Sequence, residues 1–436
     1  MVTSAAATPS GAHRVLGGVK TVIVGQGYVG LPIAMEAVQA GHDVIGLDVD
    51  EERTTRLASG FSYVEDVSDE VVTKALRTGR YEPTTDPTRC KGFDVAVITV
   101  PTPLRDGVPD LRYVEEAGRT LAPLVSAGAL VVLESTTYPG TTTDLLLPIL
   151  EAGSGLTAGA DFQVGYSPER IDPGNPTWGM RNTPKLISGI DEESREAVRR
   201  FYATFVDNLV DVSTPHIAEL AKLLENTFRH VNIALVNELA IFANALQVDL
   251  WEAIAAASTK PFGFMPFYPG PGVGGHCLPI DPSYLSWQVK RSLGFSFRFV
   301  ELANDVNDHM PDYVVRRAAT ILNSRKKAIN GAQVLVVGLA YKRNSGDARE
   351  SPGPILCSRL LALGAVVRAT DLHLPDRSFP DGVSRVEFSG EALAASDLVI
   401  IVTDHDAYDW AIFGGYGGDV LDTRHRLPGG PNVEYL

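Results

Sequence analysis

The stretch Lys20 to Asp48, KTVIVGQGYVGLPIAMEAVQAGHDVIGLD, constrains the fold more than any other part of the chain. KTVIV is short, apolar and β-rich, LPIAMEAVQA has apolar residues at helical spacing, and DVIGLD returns to a strand, so the segment reads as one βαβ unit. Its turn carries Gly25, Gly27 and Gly30 in GxGxxG spacing, with Asp48 closing the second strand about 20 residues on. In that context Gly25 permits a tight turn, Gly27 lets backbone amides approach a pyrophosphate at the helix N-terminus, and Gly30 allows close packing of helix on strand. Asp48 suits the two ribose hydroxyls of NAD and repels an added phosphate, while Arg53 nearby leaves NADP open.

Later apolar runs, Asp94 to Val100, Ala129 to Leu133 and Phe162 to Tyr166, alternate with helix-like stretches. This predicts a doubly wound parallel sheet continuing to about residue 210. From Thr214 the pattern becomes continuously helical, through AELAKLLENTFRHVNIALVNELAIFANAL, and predicts one or two long helices, a spine for domain packing and dimer contact. A glycine- and proline-rich stretch, Pro261 to Pro282, reads as a loop. Strand and helix patterns restart at Ala332 with QVLVVGLAY and continue to GDVLDT, a second α/β domain that lacks the second and third glycines of the first. A second dinucleotide site is therefore not expected there. The expected organisation is a tail at 1–18, a NAD-binding domain at 19–212, a central helical dimerisation region at 213–325, and a second Rossmann-like domain at 326–436. The fold class is α/β, two Rossmann-like domains joined by a long central helix.

At 436 residues the chain exceeds one hydrophobic core, and its formal charge of −15 opposes nucleic-acid binding, which needs a basic face. No apolar run reaches the roughly 20 residues needed to cross a bilayer. The N-terminal MVTSAAATPSGAHRVL lacks the apolar core of a secretory signal. Three scattered cysteines without CxxC spacing argue against a disulfide framework, and a reducing cytoplasm is expected.

One of the three, Cys277, lies in GVGGHCLPIDP, where three glycines make the backbone so permissive that something must approach it closely. It reads as a packed thiol or a nucleophile. A metal site is disfavoured, because the His276–Cys277 pair lacks further ligands. Asp281 either orients or deprotonates a reacting group, or caps the helix that follows. SPER puts Glu169 at the carboxyl end of a strand, where α/β sheets bind ligands. Lys222 and Asn226 stand four apart on one helix face, either turned into a shared site or serving as ordinary surface and packing residues.

Taken with VPTP at 100–103, STTYPGTT at 135–142 and YKRNSGDARESP at 341–352, these ordered motifs make the chain resemble the UDP-glucose/GDP-mannose dehydrogenase family from about residue 19 almost to the C-terminus. The resemblance implies oxidation of a nucleotide-sugar C6 alcohol to the carboxylate with two NAD molecules, one water and no metal. It implies Cys277 as nucleophile and Asp281, Lys222, Asn226, Glu169 and Thr136 as the polar catalytic set. Gly25, Gly27, Tyr28, Val29, Asp48, Arg53, Thr102, Glu134, Thr136 and Arg349 match positions near NAD. Lys342 matches a contact to the substrate phosphates, which makes 326–436 the nucleotide-sugar-binding domain, and Tyr268 and Gly274 join Glu169, Lys222 and Asn226 around the substrate. A homodimer or higher homo-oligomer is implied.

The leading expectation is a UDP- or TDP-glucose-type substrate, carried to the uronic acid through a Cys277 thiohemiacetal and thioester. The alternative is an N-acetylated hexosamine. It is prompted by PFGFMPFYPGPGVGGHC and by Pro173 where glucose enzymes have a second glutamate; Pro261 beside Lys260, where many have an arginine that reaches a neighbouring subunit's substrate, leaves trans-subunit recognition open. A one-step alcohol dehydrogenase would need no thiol, and a nonenzymatic binder would not need Cys277, Lys222, Glu169 and Asp281 together.

Overall fold

The computed structural model describes residues 18–172, 175, 177–275 and 278–436. The expected tail, Gly18 apart, therefore lies outside the described residues, as do Pro173, His276 and Cys277. The described chain divides into two units. Unit 1 runs up to Thr102 and resumes at Leu111–Glu219; unit 2 is Pro103–Asp110 with Leu220–Leu436.

Unit 1 is built on strands β1 (Lys20–Val24), β2 (Asp43–Leu47), β3 (Tyr81–Thr84), β4 (Val95–Ile98), β5 (Leu130–Leu133), β6 (Gln163–Tyr166), β7 (Lys185–Gly189) and β8 (Leu209–Asp211), in the order β8-β7-β6-β5-β4-β1-β2-β3. The central strands β1, β4 and β5 are almost wholly buried, which is why they read as unbroken Val/Ile/Leu runs without alternation. One expectation is corrected: the sheet is not parallel throughout, because β7 runs antiparallel to β6. No helix is described between those two strands, and without a crossover the chain can return only beside its neighbour in the opposite direction.

Unit 2 carries a parallel sheet of β9 (Gln333–Val337), β10 (Val366–Thr370), β11 (Ser384–Arg385), β12 (Leu398–Ile401), β13 (Asp419–Asp422) and β14 (Val433–Tyr435), ordered β11-β10-β9-β12-β13-β14. The helical pattern after Thr214 forms one 31-residue helix, Pro215–Ala245, and a second long helix spans Arg298–Ser324. Met310, Val314, Ile321 and Leu322 of the latter share one core with Val334, Val336 and Ile400 of the sheet. Residues 220–325 thus belong to unit 2 rather than forming a body of their own. No described helix is long and apolar enough to cross a membrane.

The long helix is inverted relative to an ordinary amphipathic helix. Glu219, Lys222, Asn226, His230 and Asn237 recur along one face at three-, four- and seven-residue spacing, and all are buried. On the opposite face Leu224, Phe228, Leu235, Leu239 and Phe242 are exposed, Leu224 by 63%. Two of these buried groups show how the polar face is satisfied. Asn237 Nδ2 donates to Asn307 Oδ1 at 2.9 Å, and its Oδ1 accepts from the Gly270 amide at 2.9 Å. His230 Nε2 lies 2.7 Å from Asn304 Oδ1; burial lowers the pKa of this imidazole against a smaller opposing effect of Asn304.

Candidate active site

In unit 1 the glycine turn takes the form its spacing predicts. Gly25 has φ of 90°, and a Cβ there would lie 2.9 Å from the Thr99 carbonyl oxygen. Gly30 is packed against the Gly25 carbonyl, whereas a Cβ on Gly27 would meet open space. The turn is thus tight on the protein side and open where a pyrophosphate would approach the helix Gly30–Gln39, so these residues fit NAD. Asp48 Oδ2 accepts from the Gln26 amide at 2.7 Å and Oδ1 from the Asp50 amide at 3.0 Å, fixing the carboxylate beside the turn. Arg53 Nη1 stands 3.8 Å from Asp48. Tyr28 is exposed and Val29 half-buried at the start of the helix, while Thr102 is buried.

Glu134, expected near NAD, is fully buried: its carboxylate pairs with Lys185 Nζ and accepts from the Tyr202 hydroxyl at 2.5 Å. Burial lifts its pKa to about 7, against the pull of Lys185 and with a further push from Glu169. The neighbouring Thr136 is half-buried. Glu169 is tied by Oε1 to the Ile171 amide, and its Oε2 is buried with no hydrogen-bond partner among the described residues. The Thr137 hydroxyl is in the same condition. An unpartnered buried acceptor costs about 1–3 kcal/mol, which a bound water or ligand group would recover. Sequence reading missed Thr137 because two adjacent threonines differ only in which one the strand end turns inward.

In unit 2, Asn226 Nδ2 donates to Asp281 Oδ2 at 2.6 Å, and the Lys222 ammonium acts on the same carboxylate. All three are buried. Burial pushes the Asp281 carboxyl up to about 7, with Lys222 and then Asn226 pulling it back. The surface reading of Lys222 and the simple helix-cap reading of Asp281 both fall: no side-chain cap stands at the head of the helix Asp281–Leu293, and Asp281 itself turns toward Asn226. The other two cysteines differ in kind from a reactive thiol. Cys90 and Cys357 are buried, and burial lifts their pKa values to about 11 and about 12.

A second cluster in unit 2 lines a cavity of about 310 Å³ with Trp251, Tyr268, Tyr341, Lys342, Arg343 and Arg424. It brings together Tyr268 and Lys342, which are 74 residues apart in sequence. Trp251 stacks on Tyr268 with centroids 5.4 Å apart and on His425 at 4.9 Å. Arg424 donates through Nε to the Val402 carbonyl at 2.7 Å. Asp404 also lines the cavity and pairs with Arg343; flat aromatic surface beside Lys342, Arg343 and Arg424 suits a nucleoside diphosphate. Sequence reading missed Trp251, Arg343 and Arg424; the run TRHR directly after β13 was a signal for Arg424, since it follows the carboxyl end of a parallel strand.

The glycines of GVGGHC have a structural use that the sequence leaves unspecified. A Cβ on Gly274 would lie 2.7 Å from Tyr341 Cβ, and the Gly275 amide donates to the Arg349 carbonyl at 3.0 Å. What approaches this loop closely is the 341–351 segment. The Arg349 guanidinium is held by Asp347, with Nε 2.9 Å from Oδ1.

A dinucleotide-type turn in unit 1 and an aromatic, cationic cleft in unit 2 fit the class of dehydrogenases that handle nucleotide-linked substrates. The chain matches the NAD-binding domain of the UDP-glucose/GDP-mannose dehydrogenase family over residues 19–206, its central domain over 216–309 and its UDP-binding domain over 335–426. It belongs to that family, whose members are NAD-dependent nucleotide-sugar dehydrogenases. It is 34% identical over 409 residues to the UDP-N-acetyl-D-mannosamine dehydrogenase of Pyrococcus horikoshii, covering 94% of each chain. It is 37% identical over 336 residues to the UDP-N-acetyl-D-glucosamine 6-dehydrogenase of Salmonella typhi, covering 76% of this chain and 77% of that one. The solved P. horikoshii structure superposes with a TM-score of 0.87 at 32% identity, covering 95% of this chain and 98% of that one. A UDP-glucose dehydrogenase from Pyrobaculum islandicum gives 0.83 at 30% identity, covering 96% of each.

Proposed function

We propose that the protein oxidises the C6 hydroxyl of a UDP-N-acetylhexosamine to the carboxylate in two successive NAD-dependent steps. The buried Lys222–Asn226–Asp281 cluster carries the chemical part of this reading. The names of the relatives support the N-acetylated sugar over the glucose that leads the sequence reading, and the phenylalanine- and proline-rich approach to Cys277 points the same way. UDP-glucose is the second reading, favoured by the P. islandicum likeness.

NAD, when bound, supplies the hydride acceptor for both oxidations. Asp281, directly or through a water, takes the C6 hydroxyl proton, and the Lys222 ammonium stabilises negative charge on that oxygen. The Cys277 thiolate adds to the aldehyde carbon, and the thiohemiacetal so formed becomes a thioester at the second oxidation. Glu169, through its unpartnered Oε2, holds and deprotonates the hydrolytic water, with Thr136 or Thr137 as the neighbouring hydroxyl.

A panel of UDP-GlcNAc, UDP-ManNAc, UDP-glucose and TDP-glucose tests substrate and stoichiometry together. The expected result is two NADH per acid formed, with an N-acetylhexosamine giving the highest kcat/KM. One NADH per product would reduce the enzyme to a simple alcohol dehydrogenase, and preference for UDP-glucose would reinstate the second reading.

The exposed apolar stripe on the long helix supports a second copy of the chain as partner. Side chains of this size at regular spacing on one face exceed the scattered apolar exposure of a monomer surface, and the buried polar face opposite them removes any need for the stripe to turn inward. Light scattering should give the mass of a dimer or a larger even assembly, and Leu224→Glu with Phe228→Glu should shift it toward one chain. A monomer at micromolar concentration for the unaltered protein would overturn this.

A further inference from the structure

The two Rossmann-like sheets share a detail that the missing glycines conceal. In unit 1 the aspartate after the second strand, Asp48, accepts from the amide following Gly25 and from the amide two residues beyond itself. In unit 2 the aspartate after the corresponding strand, Asp371, does the same. Its Oδ2 accepts from the Leu339 amide, which follows Gly338, at 2.7 Å, and its Oδ1 from the His373 amide at 2.9 Å. The surroundings then differ. Asp371 takes two further amides, Ala340 at 3.0 Å and Leu374 at 3.2 Å, and His405 Nε2 lies 3.1 Å from Oδ2. Both side chains are wholly buried, and Gly338 is packed tightly against Thr403. Five donors saturate a carboxylate that in a dinucleotide fold would face a ribose, and the position is closed to ligand.

His405 carries this carboxylate's hold outward. With Nε2 donating to Asp371, Nδ1 is the acceptor, and it receives the Asn344 amide at 2.9 Å. Asn344 has φ of 58°, a left-handed conformation that needs support in a non-glycine residue. Its side chain and Asp406 bond reciprocally: Nδ2 donates to Asp406 Oδ2 at 2.7 Å, and Oδ1 accepts from the Asp406 amide at 2.9 Å. The adjacent Arg343 pairs with Asp404. Three consecutive residues after β12 thus clasp two consecutive residues of the loop that brings Lys342 and Arg343 to the cleft.

We propose that His405, anchored by Asp371, is a positioning residue for nucleotide binding: it fixes the Asn344 amide and so the loop presenting Lys342 and Arg343 to the diphosphate. The carboxylate that binds ribose in one domain serves in the other as the root of a phosphate-binding loop. This rests on the reading of the unit 2 cleft as the nucleotide site.

Asparagine and glutamine at position 405 separate the two halves of the contact. Asparagine can place an acceptor where Nδ1 stands, toward Asn344; glutamine can place a donor where Nε2 stands, toward Asp371. Titration of the full-length protein with uridine diphosphate should give His405→Gln, which loses the Asn344 contact, a Kd weakened about tenfold, as for one lost hydrogen bond, and His405→Asn, which keeps that contact but loses the Asp371 anchor, a smaller weakening. NAD affinity should stay the same in both. A merely structural role would move both ligands in both variants, and an unchanged Kd in His405→Gln would overturn the proposal. If neither variant folds, hydrogen exchange in the unaltered protein decides: a protected Asn344 amide supports the anchor, and exchange as fast as an unbonded loop amide refutes it. If the unaltered protein does not bind uridine diphosphate, the nucleotide-site reading fails, and a role for His405 in nucleotide binding falls with it whatever the exchange shows.

Discussion

Asp281→Asn is expected to lower kcat by about 10²–10⁴-fold, the range for loss of a positioned general base, while leaving NAD affinity unchanged. The amide keeps the size of the carboxyl and can still bond to Asn226, so the loss is one of proton acceptance rather than of shape. The pH dependence should follow the same group. Burial lifts Asp281 to about 7, so kcat/KM in the unaltered enzyme should rise as pH climbs through about 7 and the carboxylate forms, and the variant should lack this limb. Stability runs in the opposite direction. Between the ordinary aspartate range and about pH 7 the folded chain holds a proton that the unfolded chain has lost, so this group's contribution falls as pH rises across that window. Denaturant titrations at pH 5 and pH 8 should show a smaller difference for Asp281→Asn than for the unaltered protein. Near-normal turnover by the variant would remove Asp281 as base and leave it as a holder of Lys222 and Asn226.

Cys277→Ser is expected to stop carboxylate formation with NAD binding intact. A serine hydroxyl is a far weaker nucleophile than a thiolate near neutral pH, so the aldehyde is no longer captured and the second oxidation loses its substrate. Any NADH formed should therefore not exceed one per substrate consumed, and mass spectrometry of the unaltered enzyme quenched during turnover should find the acyl group on Cys277. Undiminished acid production by the variant would sink the thioester route. In the proposed sequence Glu169 acts after Cys277, so the two variants should separate in time: loss of the thiol is expected to prevent the acyl-enzyme, whereas Glu169→Gln is expected to prolong it.

The βαβ opening is legible in the sequence because its constraints are local. A tight turn at Gly25 and close packing at Gly30 act within one strand–turn–helix unit, so residue spacing is enough to place them. Lys222 and Asn226 are half legible. Four-residue spacing puts them on one face, but whether that face meets solvent or core depends on what packs against it, and here the polar face is the buried one. The pairing of Asn226 with Asp281 spans 55 residues and leaves no trace in the local pattern.

The aromatic, cationic cleft of unit 2 is less legible still. Trp251, Tyr268, Lys342 and Arg424 come from four segments whose common position depends on how the helices and the second sheet pack. The antiparallel entry of β7 is also a tertiary outcome, since a β-rich run has the same composition in either direction.

By itself the sequence determined the α/β class, the dinucleotide turn and the residue types of the chemistry, because backbone sterics and side-chain reactivity are properties of a few neighbouring residues. Tertiary structure decided which of those groups lose their water. Burial turned Asp281 into an acid poised near neutrality, enclosed a Glu169 oxygen that has no hydrogen-bond partner among the described residues, and closed Asp371 around His405, since desolvation depends on everything packed around a charge and not on its neighbours in the chain.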